Sequence, residues 1–289
     1  MRGELSKPNF LGIGAQKCAS TWLYDILSDH PEVCLSDTKE LDYFSNFYDF
    51  GFQWYERQFQ PGVGVRAMGE VSPSYFHHPS APQRVRDYAP DMRLIVFLRE
   101  PVQRALSNHK HEVRIGHFGG DDLSFESGLK NNPQYIEQGL YATHMERWLR
   151  YFDSQQLLVV FFDDVVNNGA DVARRIYEFL RIDDGHIPAA LSQRSNESYV
   201  NRSVRLESVK NALRGVLRKL RLGWLWDLLG RTGLQKAYRS VNRAEPENVI
   251  PPLLPQTRQH LQDLFADEIA RLETLTGTNL DRWRAGGES

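Results

Sequence analysis

Four short apolar runs, each closed by turn-forming residues, set the frame of this chain: Phe10 to Gly14, Ala67 to Val71, Leu94 to Leu98 and Leu157 to Phe162. They are continuous rather than alternating, which is the pattern of strands buried on both faces of a parallel sheet. Between them, apolar positions recur with the helical period. Trp22, Leu23, Ile26 and Leu27 share one face; Met145, Trp148, Leu149 and Phe152 share a second; Val172, Ile176, Phe179 and Leu180 share a third. Strands alternating with helices predict an α/β fold, a central, mostly parallel sheet flanked by helices.

After about residue 185 the strand pattern stops. Residues 203–229 read as helical, with Leu206, Val209, Leu213, Val216, Leu217 and Leu220 on one face, and a last helix is predicted over Leu254 to Leu275. The chain is therefore read as a single domain, 1–289: an α/β core over 1–185 and a helical C-terminal region over 186–289 that covers the site. Residues 117–128, "HFGGDDLSFESG", have the composition of a mobile loop and are a candidate lid.

A length of 289 residues suffices for a sizeable core, and a formal net charge of −2 gives no global pull toward nucleic acid or an anionic membrane. Any handling of polyanions must come from local basic clusters. Cys18 and Cys34 are the only cysteines, too few for a disulfide framework and suited to a reducing compartment. No apolar run approaches the roughly 20 residues that span a bilayer, and the first ten residues lack a signal-peptide core. The expected location is cytoplasmic.

The chemistry begins at "NFLGIGAQKCASTWLYDIL", residues 9–27, where a strand runs through a loop into a helix. The first amides of such a helix point at the loop and the helix dipole adds positive potential, which favours an anion. Ser20 and Thr21 can cap the helix or donate to an anion, and Lys17 adds a point charge. The triphosphate motif requires lysine directly before the hydroxyl, with glycine beside it. Here Lys17 precedes Ser20 by three positions, so the motif fails. A later strand in nucleoside triphosphatases often ends in a magnesium-holding aspartate. Here "LIVFLRE" ends in Arg99, an anion-binding group. The plainer reading of the loop is a solvated capping turn.

A second constellation is "REPVQRALSNH": Arg99 at the strand end, Pro101 at a first helical position, then Arg104 and, one turn further, Ser107. A planar guanidinium with a hydroxyl suits a terminal phosphate. The competing reading is a helix start with a surface Arg104–Glu100 ion pair.

These segments together resemble the sulfotransferases that use 3′-phosphoadenosine 5′-phosphosulfate (PAPS), the heparan-sulfate-type and bacterial members in particular. Arg99, Pro101, Arg104 and Ser107 match that family's R-x-P-x-x-R-x-x-S segment letter for letter. "KELDYF" (39–44) is similar to K-E-x-H-[FY]-F, and "EVSPSYF" (70–76) to E-x-[ST]-P-x-Y-F. "GLYATHMERWLRYF" (139–152) with "LLVVFFDDV" resembles a helix and strand of those members. "NESYVNRS" (196–203) resembles N-x-S-x-x-x-R-S.

The resemblance implies a P-loop-like sulfotransferase fold and sulfuryl transfer from PAPS, yielding 3′,5′-adenosine bisphosphate (PAP), with no metal required. It implies a small-molecule, glycan or lipid-linked acceptor. It makes Glu40 the base, Lys17 the stabiliser of the leaving oxygen and Lys39 a second cation on the sulfate. The 5′-phosphate falls to the loop and helix start, Lys17, Cys18, Ala19, Ser20, Thr21 and Trp22, in which the Cys18 thiol is a bystander without a paired base. Arg99 and Ser107 take the 3′-phosphate, with Arg202 an addition. Two positions depart from the family: Asp42 stands where histidine is common, and Ala19 where glycine is common. Alanine fits there only if the backbone keeps φ negative.

His109 is a rival base. It and His111 have a metal-like H-x-H spacing, but on a helix i and i+2 diverge, so no metal site is assigned. Residues 202–243 are strongly basic, with Glu207 and Asp227 their only acids, and Trp224 and Trp226 interleave with leucines. That is compatible with a peripheral membrane contact; the preferred reading is a cover over the sheet with a solvated outer face. Two other functions stay open: a nucleotide kinase-like enzyme and a non-catalytic nucleotide-binding scaffold. The oligomeric state is open too.

Overall fold

The computed structural model describes residues 7–118, 123–192, 200–201, 243–244 and 249–284. Its centre is a five-stranded sheet of β1 (Phe10–Gly14), β2 (Val33–Leu35), β3 (Ala67–Val71), β4 (Arg93–Leu98) and β5 (Leu157–Phe161). The strand order is β2-β3-β1-β4-β5, and every pairing in it is parallel. The predicted mostly parallel sheet is thus present with the expected strands. β1 and β3 are buried along their whole length, which is why they read as unbroken apolar runs. β2, three residues at the sheet edge, is too short to leave a pattern and was not foreseen.

Helices alternate with these strands. They are α1 (Ser20–Ser28), α2 (Phe52–Glu56), α3 (Ala81–Tyr88), α4 (Pro101–Ile115), α5 (Phe125–Asn131), α6 (Gln134–Glu137), α7 (Tyr141–Leu149) and α8 (Phe162–Leu180). The predicted faces are the buried ones: Trp22, Leu23, Ile26 and Leu27 on α1, and Val172, Ile176 and Leu180 on α8. Phe152 is buried beyond the end of α7. A two-stranded antiparallel ribbon, β6 (Val200–Asn201) and β7 (Arg243–Ala244), corrects the expectation that strands end near residue 185. Two-residue strands leave no periodicity to read. The last helices are α9 (Pro255–Thr276), close to its predicted span, and α10 (Asp281–Arg284). The helix expected over 203–229, residues 202–242 of the basic segment and part of the candidate lid lie outside the described residues.

By packing, the chain forms two units. One comprises Met1–Arg104, Ile136–Asn196 and Leu261–Ser289 and holds the five-stranded sheet; the other comprises Ala105–Tyr135 and Glu197–His260. No helix among the described residues is long and apolar enough to cross a membrane.

The close approach of β1 and β3 sets the geometry of the first unit. A Cβ added at Gly69 would lie 2.1 Å from the Phe10 carbonyl oxygen and 2.8 Å from its ring. Backbone cannot yield as a flexible side chain can, so Gly69→Ala should cost at least the 1–3 kcal/mol typical of overpacking. Gly62, with open space around it, serves as control. In urea unfolding, Gly69→Ala should show a clearly lowered midpoint and Gly62→Ala a shift within about 0.5 kcal/mol.

Candidate active site

β1 ends at Gly14, and the chain turns through Lys17 and Ala19 into α1. Lys17 (φ 67°) and Ala19 (φ 86°) both adopt left-handed backbone. The condition under which alanine was said to fit, a negative φ, is not met at Ala19: the residue holds the conformation for which glycine is the unstrained choice. Ala19 is the residue preceding the first turn of α1. It has no side-chain oxygen to cap that turn, and the turn carries no acidic residue. The positive end of the helix thus faces the loop without a carboxylate from its own first turn.

The side chains of this loop sort by burial. Lys17, Ser20 and Thr21 are partly exposed, whereas Cys18 is fully buried and Trp22 nearly so. The Cys18 sulfur lies 3.7 Å from the Tyr141 hydroxyl, and burial pushes its thiol pKa up. Trp22 packs edge-on against Phe97 at 6.1 Å between ring centres. Both side chains are packed into the interior rather than presented to solvent.

Thr21 is joined to the next segment. Lys39 Nζ donates to Thr21 Oγ1 at 2.8 Å and sits 3.4 Å from Glu40 Oε1. One ammonium therefore ties the helix start to the predicted base. Glu40 is well exposed, 43% of its side chain, and itself left-handed at φ 59°; Asp42 follows at φ 50°. The Asp42 carboxylate accepts from Ser74 Oγ at 2.5 Å, and burial raises its pKa.

Beneath this turn lies a carboxyl that the motif reading left without a role. Glu70, the fourth residue of β3, is fully buried. Its Oε2 accepts the Leu41 amide at 3.1 Å and the Ser72 hydroxyl at 2.5 Å; its Oε1 accepts the Tyr75 hydroxyl at 2.5 Å. Desolvation is the largest influence and pushes the Glu70 pKa up to about 7, the three donors opposing it. The signal was present in "EVSPSYF": a carboxylate inside an apolar strand must find donors.

At the end of β4, the Arg99 guanidinium lies 4.4 Å from the centre of the Phe162 ring, and its carbonyl accepts from the Tyr141 hydroxyl at 2.9 Å. Cation–π contact leaves the edge of the guanidinium with donors to spend on an anion. Glu100 caps α4, accepting from the amides of Val102 and Gln103 at 2.9 and 2.7 Å. Arg104 is fully buried and donates to Gln138 Oε1 at 3.0 Å, so it is not a surface residue. Ser107 follows three residues later on the same helix.

His109 does not suit the role of base. It is fully buried, its Nδ1 lies 3.1 Å from the Tyr135 hydroxyl and its Nε2 2.9 Å from the Leu123 carbonyl oxygen. Both ring nitrogens are engaged, and burial lowers its pKa. Arg202 lies outside the described residues.

The left-handed Ala19 yields a direct check. Ala19→Gly should stabilise the chain by a few tenths to about 1 kcal/mol, relief of the strain outweighing the extra freedom of glycine when unfolded. Ala19→Val should do the reverse. Thermal unfolding of the two variants reads the sign; stabilisation by valine would contradict the backbone described here.

The sulfotransferase domain model matches residues 7–211. Mouse heparan sulfate glucosamine 3-O-sulfotransferase 6 is 32% identical over 183 residues, which cover 62% of this chain and 53% of that protein. Mouse bifunctional heparan sulfate N-deacetylase/N-sulfotransferase 4 is 29% identical over 199 residues, covering 61% of this chain and 22% of that one. The chain thus spans about half the length of the first relative and less than a quarter of the second. A solved sulfotransferase from Alicyclobacillus acidocaldarius superposes with a TM-score of 0.70 at 25% identity, over 97% of this chain and 100% of that one. With the family model matching well over half of its length, on a parallel sheet and cradle of this form, the chain belongs to the sulfotransferase domain family.

Proposed function

We propose that this protein transfers the sulfuryl group of PAPS to a hydroxyl, or less readily an amine, of a carbohydrate acceptor. The observation that carries the proposal is the placement of Lys39, donating to Thr21 at the helix start while paired with Glu40. It brings an anion cradle, a mobile cation and an accessible carboxylate together, which is what sulfuryl transfer needs: positioning and charge stabilisation rather than a covalent relay. The carbohydrate is suggested by relatives named for heparan sulfate. Lipid-linked and secondary-metabolite acceptors are the outcomes an acceptor screen distinguishes from it.

In this reading the amides at the start of α1, with Ser20 and Thr21, hold the 5′-phosphate, and Arg99 and Ser107 hold the 3′-phosphate. The donor is an anion with phosphates at both ends of its ribose, and the chain offers basic or amide-rich groups at the C-terminal ends of the neighbouring strands β1 and β4. Glu40 takes the acceptor proton as the acceptor oxygen bonds to sulfur. The bond from sulfur to the 5′-phosphate oxygen breaks in the same displacement, and Lys17 stabilises the charge left on that oxygen. Lys39, within reach of Glu40, steadies the sulfuryl oxygens.

Two measurements test this. PAP should raise the melting temperature more than AMP or magnesium ATP does, since a ligand that binds only the folded state stabilises by mass action. A response to magnesium ATP with indifference to PAP would overturn the reading. Glu40→Gln should keep the PAP response and lose roughly 10²- to 10⁴-fold in turnover, the usual contribution of a positioned base. Near-normal turnover would remove Glu40 from that role.

A further inference from the structure

Glu40 lies on the turn Glu40-Leu41-Asp42, and two of its three residues are left-handed without being glycine. Each such residue costs of order 1–2 kcal/mol and persists only when its surroundings hold it there. What holds this turn is visible. The Leu41 amide, next after Glu40, donates to Glu70 Oε2 at 3.1 Å. The Asp42 amide donates to Ser72 Oγ at 3.0 Å, and the Ser72 hydroxyl in turn donates to the same Glu70 oxygen. Two consecutive main-chain amides are therefore gathered by one buried carboxyl, one directly and one through a hydroxyl.

The carboxyl is itself fixed. Glu70 sits in β3 opposite Leu11 of β1, so its backbone is anchored in the centre of the sheet. Its other oxygen accepts the fully buried Tyr75. In its ionised form the carboxyl accepts from all three donors at once. A buried carboxylate is costly and persists only where donors hold it, as the Leu41 amide and the Ser72 and Tyr75 hydroxyls do here.

We propose that Glu70 is a positioning residue for the transfer reaction, fixing the angle of Glu40 through the amides of Leu41 and Asp42 without touching either substrate. The assignment rests on Glu40 being the base. With zero exposure, Glu70 cannot reach the acceptor; its effect must pass through the turn. Ser72 is the second member of the same device, and Asp42 is its passenger: held by its amide, with its carboxylate engaged by Ser74.

The test is a double-mutant cycle on the full chain, with [³⁵S]PAPS and a fixed acceptor panel of heparosan oligosaccharide, glucosamine, a simple phenol and water. The best acceptor of the unaltered chain is the reporter. Glu70→Gln, nearly isosteric, should lower kcat on the order of 10- to 100-fold, the scale expected for a misplaced reacting group. It should leave the KM for PAPS and the melting-temperature rise with PAP unchanged. In the Glu40→Gln background, Glu70→Gln should cost nothing further, because there is no base left to position; a general loss of packing would slow both backgrounds alike. Ser72→Ala should show the same split and decides the matter alone if Glu70→Gln does not fold. Normal kcat in both variants, a raised KM for PAPS, or losses that multiply with Glu40→Gln would each overturn the positioning role while leaving Glu40 as base. Near-normal turnover by Glu40→Gln, or no turnover by the unaltered chain on any acceptor, would overturn the function proposed above and this inference with it.

Discussion

The backbones of β1 and β3 come together where neither can afford a side chain, and the candidate site follows from that contact. Gly69 faces the Phe10 carbonyl, and a Cβ at Gly12 would meet Leu23 at 2.8 Å and Val71 at 3.0 Å. With the two strands this close and α1 pressed on Gly12, the ends of β1 and β3 emerge side by side. The Ser72 amide donates to the Gly12 carbonyl and the Phe76 amide to that of Ile13, at 2.9 and 2.8 Å. The segment after β3 is thereby sewn to the strand that leads into the cradle. Glu70, Ser72 and Ser74 are then in place to grip the 40–42 turn.

Strain collects at the same place. Of five described non-glycine residues with positive φ, four are Lys17, Ala19, Glu40 and Asp42; the fifth, Arg181, ends α8. A left-handed residue after a helix is ordinary termination. Four in the loop before α1 and the 40–42 turn are not, and they mark where the fold spends stability on geometry. The two turns differ in what restrains them. The 40–42 turn is gripped from below by buried hydrogen-bond acceptors. The loop before α1 instead anchors one end through the Ala15 amide, which donates to the Phe97 carbonyl at 2.8 Å. Its other end is α1 itself.

The sheet was legible because burial on both faces leaves an unmistakable run of apolar residues: β1 and β3 have the expected bounds, and β4 differs by Arg93 alone. Arg93 was invisible to an apolar pattern because its side chain leaves the strand to donate to the Leu180 carbonyl. The strand–loop–helix around residues 10–28 and the strand end at Arg99 were legible because each is a local pattern within one stretch of chain. Glu70 was not legible as a partner of Glu40, because the contact runs through the Leu41 amide, 29 residues from Glu70, and the Asp42 amide, 30 residues from Ser72, and amides have no sequence signature. The conformation of Ala19 was not legible for a related reason. Side-chain identity gives a preference for φ, and here the surrounding turn overrides it.

The Lys39–Glu40 pair is the last contact to weigh at this turn. Both partners are substantially exposed, 30% and 43%, and such pairs contribute about 0–1 kcal/mol in water. The bond to Thr21 is the shorter of the two contacts Lys39 makes, and it directs the ammonium toward the cradle rather than toward Glu40. An anion seated at the start of α1 competes for that ammonium with more charge than one carboxylate carries and in a less solvated place, where attraction is stronger. In the proposed reading, donor binding would draw Lys39 away from Glu40 at little cost, and the weakness of the resting pair is what would make the exchange easy.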